Sequence, residues 1–99
     1  MNRSENLLVV AQEECAEIQQ EISKALRFGV KNYHPDTPNI TNEEKIMKEF
    51  VQLNAVMDML IMNKVICGIT ESEQSEIYRE KINNVEKWMK YSQSIGMIQ

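Results

Sequence analysis

The chain has 99 residues, 42% of them hydrophobic and 26% charged, which is enough for one small domain with a modest core. Its formal net charge of −4 lacks the basic excess that binds a nucleic-acid polymer or an anionic membrane surface. No apolar run reaches the length of a membrane span, and the first residues are polar. We therefore expect one cytoplasmic domain over residues 1–99, with no nucleic-acid or membrane partner.

The two cysteines and the single histidine do not form a metal motif. Cys15 and Cys67 lack C-x-x-C spacing, and His34 stands alone in a segment of loop composition. We expect two reduced, buried thiols rather than a zinc site or a disulfide.

The first predicted helix runs from about Ser4 to Phe28, because no Gly or Pro occurs before Gly29. Apolar residues recur in it every three or four positions, as on one buried stripe, namely Leu8, Ala11, Cys15, Ile18, Ile22 and Ala25. Along the border of this stripe the sequence crowds like charges together at Glu14, Glu17 and Glu21.

Two further helices are predicted from capping and periodicity. Residues 29–40 have loop composition, and a capping box then starts at Thr41 with Glu44. This second helix runs to about Cys67, where Gly68 supplies a stop, and its stripe is Ile46, Phe50, Leu53, Met57 and Leu60.

A second capping box at Thr70 and Glu73 opens the third helix, which Gly96 ends. Its apolar stripe consists of Tyr78, Ile82, Val85 and Met89. No segment alternates like a strand, so we expect an all-α antiparallel bundle of three main helices, two of them long. Because such a bundle closes little core alone, we expect a homodimer or homotetramer to complete it.

Glu49 borders the second stripe as Glu14 and Glu17 border the first. Facing helices would aim these three carboxylates into one pocket, which is how helical bundles build metal sites. Mg²⁺ takes such oxygen ligands together with water and substrate phosphates. The alternative is a solvated acidic helix face, which is common.

The stretches Glu13-Glu14-Cys15-Ala16-Glu17 and Glu49-Phe50-Val51-Gln52 resemble the E-E-x-x-E and E-x-x-D motifs of a family of all-α nucleoside triphosphate pyrophosphohydrolases. This is the MazG-like and dimeric dUTPase-like group, and the short phage-type members are the most similar. Gln52 departs from the pattern, because the family has aspartate there. The similarity extends over most of the chain, through Lys24 to Gly29, Ala55 to Leu60 and Lys81 to Gly96.

The resemblance implies hydrolysis of an NTP or dNTP to the monophosphate and pyrophosphate with Mg²⁺ as cofactor, in the host cytoplasm if the chain is phage-encoded. It implies that Glu14, Glu17 and Glu49 are metal ligands. Glu13 is then a water-orienting or supporting catalytic group. The candidate substrate contacts are Lys24, Arg27, Gln52 and Lys81, although cations near a helix end also favour its dipole without any ligand.

The neutral Gln52 removes one negative charge, which favours weaker metal binding. Asp58 lies nine residues after Glu49, on the opposite side of a straight helix, so within one subunit it cannot replace that charge, and only in an oligomer could it face the site of another chain. A nucleotide-binding or sequestering protein with weak or no hydrolysis is therefore the main alternative. A helical adaptor with a solvated acidic face is the other.

Overall fold

A computed structural model describes residues 1–99 and contains three α-helices and no strand. The helices are α1 (Arg3–Phe28), α2 (Asn42–Met62) and α3 (Glu71–Ser94). The prediction of an all-α fold with three main helices is confirmed. The chain divides into two compact units, Met1–Cys67 with α1 and α2, and Gly68–Gln99 with α3. None of the helices combines the length and the apolar composition needed to cross a bilayer.

Side-chain caps fix where the helices begin. The Asn2 side chain accepts a hydrogen bond from the Glu5 N–H, and the Glu5 carboxylate accepts one from the Asn2 N–H, so α1 opens with a capping box. Thr41 and Thr70 accept hydrogen bonds from the N–H groups three residues on, as the sequence predicts. The predicted starts of α2 and α3 are therefore confirmed.

The end of α2 differs from the prediction, because the helix stops at Met62 rather than near Cys67. Lys64 adopts a left-handed φ of 59°. The N–H groups of Lys64 and Val65 then bond back to the carbonyls of Ile61 and Leu60, at 3.0 and 2.9 Å. This is a Schellman motif with lysine in the position that usually holds glycine, so a search for glycine places the stop at Gly68 instead.

A buried asparagine joins the end of α1 to the start of α2. Asn42 is 0% exposed, and its Nδ2 donates to the Gly29 carbonyl at 2.8 Å. Its backbone N–H donates to the Asn32 carbonyl, also at 2.8 Å. These bonds hold the linking segment tightly, so α1 and α2 pack along each other as an antiparallel hairpin.

The face that α1 turns toward α2 is shifted from the predicted stripe. Of the predicted stripe, Ala25 is buried and Ala11 and Ile18 are half-buried, whereas Leu8, Cys15 and Ile22 are exposed and Leu7 is buried instead. Cys67 is exposed as well, so the prediction of two buried thiols is wrong, although both are free. The shift arises because apolar residues cover a wider arc of α1 than α2 contacts.

On α2 the predicted stripe residues Ile46 and Leu53 are half-buried, whereas Phe50 and Met57 are exposed and Val56 is half-buried instead. Leu60 is 1% exposed and anchors the interface. Positions 14, 21 and 49 lie on these shifted inner faces, so their glutamates are half-buried between the helices.

Candidate metal centre

Three glutamates from α1 and α2 meet at one point of the first unit. Glu14 and Glu17 lie on adjacent turns of α1, and Glu49 lies on α2. One carboxylate oxygen from each residue lies within 4.8 Å of the other two. The hairpin thus brings together the three residues that the sequence proposes as ligands.

Two of these carboxylates have an oxygen that is shielded from solvent and has no hydrogen-bond donor, namely Oε2 of Glu14 and Oε2 of Glu49. Burying a carboxylate oxygen without a partner is unfavourable. The ion pairs of the chain involve other residues, so no lysine or arginine neutralises this trio. Clustered, partly desolvated carboxylates of this kind fit a hard divalent cation such as Mg²⁺, although exposed acidic groups also cluster without one.

The neighbouring carboxylates change the pKa of Glu17. A hydrogen bond that its protonated carboxyl shares with Glu49, and repulsion from the Glu49 charge, raise the pKa of Glu17 above its usual value of 4.5. Desolvation and the charge of Glu21 raise it further by smaller amounts. Glu17 therefore holds its proton more tightly than an isolated glutamate does.

We expect the metal-free protein to lose stability as the pH rises through the raised pKa of Glu17. Between the ordinary value of 4.5 and that raised pKa, the folded state holds the proton more tightly than the unfolded state. The free energy of unfolding therefore falls with pH across this window and levels off above it. Urea unfolding with EDTA, from about pH 4 to about pH 7, measures this slope.

Glu17→Gln removes the titrating group and Glu49→Gln removes its largest perturber, so both variants should lack this part of the decline. Equal slopes in the wild type and both variants would contradict the raised pKa.

Glu21 is a fourth carboxylate that the sequence interpretation left outside the site. Its side chain is 14% exposed, and its Oε2 is shielded and has no hydrogen-bond donor. Its Oε1 lies 3.5 Å from the Nζ of Lys24, a predicted phosphate contact. The spacing of four residues between Glu17 and Glu21 was the available signal, because it places both on one side of α1.

Three further predicted site residues of the first unit are exposed on α1 or α2. Glu13 is exposed and directly precedes Glu14 in the sequence. Gln52 is exposed one helical turn after Glu49. Arg27 is also exposed, and its guanidinium lies 5.1 Å from the centre of the Phe28 ring. The structure therefore leaves all three accessible, and their roles stay predictions.

Two residues that the sequence analysis considers, Lys81 and His34, lie outside α1 and α2. Lys81 is exposed on α3, in the second unit. His34 packs its ring edge-to-face on Phe28 with centroids 4.9 Å apart, and its Nδ1 accepts a hydrogen bond from the Asp36 N–H. These contacts stabilise the segment that links α1 to α2.

Comparison of the chain with protein-family models, with curated proteins and with solved structures found no match. The residues of the site and the motif resemblance are therefore the grounds for assigning a function to the chain.

Proposed function

We propose that this protein is a Mg²⁺-dependent nucleoside triphosphate pyrophosphohydrolase that converts an NTP or dNTP to its monophosphate and pyrophosphate. The observation that carries the proposal is the convergence of Glu14, Glu17 and Glu49 within 4.8 Å across two helices. These are the acids that the E-E-x-x-E and E-x-x-D resemblance assigns as metal ligands. We further propose that it acts on the nucleotide pool of the cytoplasm.

The shielded Oε2 atoms of Glu14 and Glu49 support a cation as the missing partner, because nothing else in the chain compensates them. Bound Mg²⁺ would supply neutralisation of the phosphate oxygens and a more acidic water. A bound cation would favour the ionised form of Glu17, whose pKa is raised by the hydrogen bond with Glu49 and by the charge of Glu49. Holding the cation is thus the first task of these three side chains.

The remaining roles follow from position. Glu13 is exposed beside Glu14 and is free to accept a proton from the attacking water or to orient it. Lys24, 38% exposed and paired with Glu21, is held near the site by that ion pair and can donate to a phosphate oxygen. Arg27 lies about one turn farther along α1. It can therefore contact the outer phosphates of a nucleotide whose triphosphate extends along the helix.

Pyrophosphate release from a panel of NTPs and dNTPs tests this function. We expect release to require Mg²⁺, to stop with EDTA and to be strongest for one or a few nucleotides. The coproduct should be the nucleoside monophosphate, because cleavage lies between the α- and β-phosphates. Release of inorganic phosphate with a diphosphate product would contradict the proposed bond cleavage.

The alternative is a protein that binds nucleotide and turns it over weakly or not at all. Gln52 favours it, because a neutral amide stands one turn after Glu49 where an acid would strengthen cation binding. A thermal shift with Mg²⁺ and nucleotide together, without pyrophosphate release, identifies this case. Absence of both the shift and the release would leave only the structural adaptor.

A further inference from the structure

The helix α3 presents its whole apolar face to solvent. None of its residues is buried, and its predicted stripe residues Tyr78, Ile82, Val85 and Met89 are all exposed. A helix of 24 residues gains most of its stability from packing an amphipathic face rather than from propensity alone. This face therefore needs a partner surface.

The spacing of the stripe is the same in both chain directions. Its four residues are separated by four, three and four positions, so the pattern is symmetric about the midpoint between Asn83 and Asn84. Two copies of α3 that run in opposite directions can therefore interdigitate in register. Ile82 then lies against the partner's Val85, and Tyr78 lies against the partner's Met89.

The charges beside the stripe match the same arrangement. Arg79 and Glu86 flank the stripe on one side, two turns apart on the helix. In the antiparallel register Arg79 lies beside the partner's Glu86, and the two-fold axis repeats this contact.

The charge distribution along the whole helix points the same way. Its first half carries four acidic and two basic residues and its second half one acidic and two basic, which gives net charges of −2 and +1. An antiparallel pair places acidic ends against basic ends, whereas a parallel pair places the acidic ends side by side.

From this symmetry and charge pattern we propose that α3 is a homodimerisation helix, which packs antiparallel on α3 of a second copy. The occupant of the apolar face is thus another molecule of this chain. The inference does not depend on the nucleotide chemistry, because none of these residues belongs to the glutamate trio. It gives the expected homo-oligomer a defined interface.

A charge-reversal cycle tests the interface. Arg79→Glu and Glu86→Arg should each raise the dimer dissociation constant about tenfold, since each reversal turns two attractive contacts into repulsive ones. The double variant should restore it to within about threefold of the wild type. Lys48→Glu, at an exposed position of α2 and therefore outside α3, makes the same change of charge as a control and should change the constant little. Sedimentation equilibrium measures the constant, and circular dichroism checks that helicity is kept.

Arg79 and Glu86 are about 10 Å apart along one helix, so restoration requires two molecules. A wild-type monomer at high micromolar concentration would overturn the proposal, and so would a double variant as weak as the single ones.

Spin labels distinguish the two helix directions. In a Cys15→Ser, Cys67→Ser background, labels at Glu73→Cys should lie about 30 Å apart along the helix axis in the antiparallel dimer. Labels at Asn83→Cys, near the midpoint, should lie close together. Similar short distances for both positions would indicate a parallel pair and overturn the proposal.

Discussion

Replacing Glu49 by glutamine will lower Mg²⁺-dependent pyrophosphate release by at least about 100-fold. Glu49 is the only member of the trio supplied by α2, so this change removes the carboxylate that closes the site from the second helix. Glutamine keeps nearly the same size, which confines the change to charge and ligand strength. Steady-state assays across a range of Mg²⁺ concentrations measure the loss.

Asp58→Asn is the matched control, because it removes one carboxylate from an exposed position on the opposite side of α2. It should retain activity within about twofold. Equal activity of Glu49→Gln and the wild type would show that the trio does not serve the reaction.

The melting temperature of Glu49→Gln tests whether its loss of activity is caused by misfolding. In EDTA the variant should melt at a higher temperature than the wild type near neutral pH, because the repulsion that raises the pKa of Glu17 is relieved. Saturating Mg²⁺ should then stabilise the wild type more than the variant. A variant that loses activity and also melts lower in EDTA would point to damaged packing instead.

Replacing Gln52 by aspartate should strengthen Mg²⁺ binding about tenfold and raise pyrophosphate release at limiting Mg²⁺. Gln52 is exposed one turn after Glu49, so the new carboxylate joins the charge that already faces the site. Isothermal titration with Mg²⁺ measures the affinity, and the release assay measures turnover.

Asn54→Asp adds the same charge at another exposed position of α2 and serves as the control. If Gln52→Asp and Asn54→Asp have equal effects, the gain is a general consequence of negative charge and the proposed importance of position 52 is wrong.

Local signals predicted the helices well. Capping residues act on the neighbouring backbone alone, so Thr41 and Thr70 marked the starts of α2 and α3 without knowledge of the fold. The end of α2 was missed, because Lys64 takes a backbone conformation that sequence composition does not indicate.

The inner faces were harder to predict than the helices themselves. Apolar residues on α1 cover a wide arc, and only the packing of α2 selects Leu7 over Leu8. The same selection turns Glu14 and Glu21 inward, whereas periodicity placed them at a border. The ion pair between Glu21 and Lys24 was also missed, because the sequence favoured Lys24 as a phosphate contact.

The convergence of the trio was predictable because Glu14 and Glu17 on α1 and Glu49 on α2 lie at the same edge of their stripes. Antiparallel packing then brings such edges together. What the sequence alone left open was the state of the carboxylates, since a solvated face and a desolvated cluster share the same spacing. The structure shields one oxygen each of Glu14 and Glu49 and leaves Glu17 exposed.

Direct cation binding tests the central claim, that Glu14, Glu17 and Glu49 hold a divalent cation. Mn²⁺ accepts the same oxygen ligands as Mg²⁺, and its electron paramagnetic resonance signal falls when it binds protein. The wild type should reduce the free Mn²⁺ signal, added Mg²⁺ should restore it, and Glu17→Gln and Glu49→Gln should bind at least about tenfold more weakly. Equal Mn²⁺ binding by the wild type and both variants, or no binding by the wild type, would contradict the account.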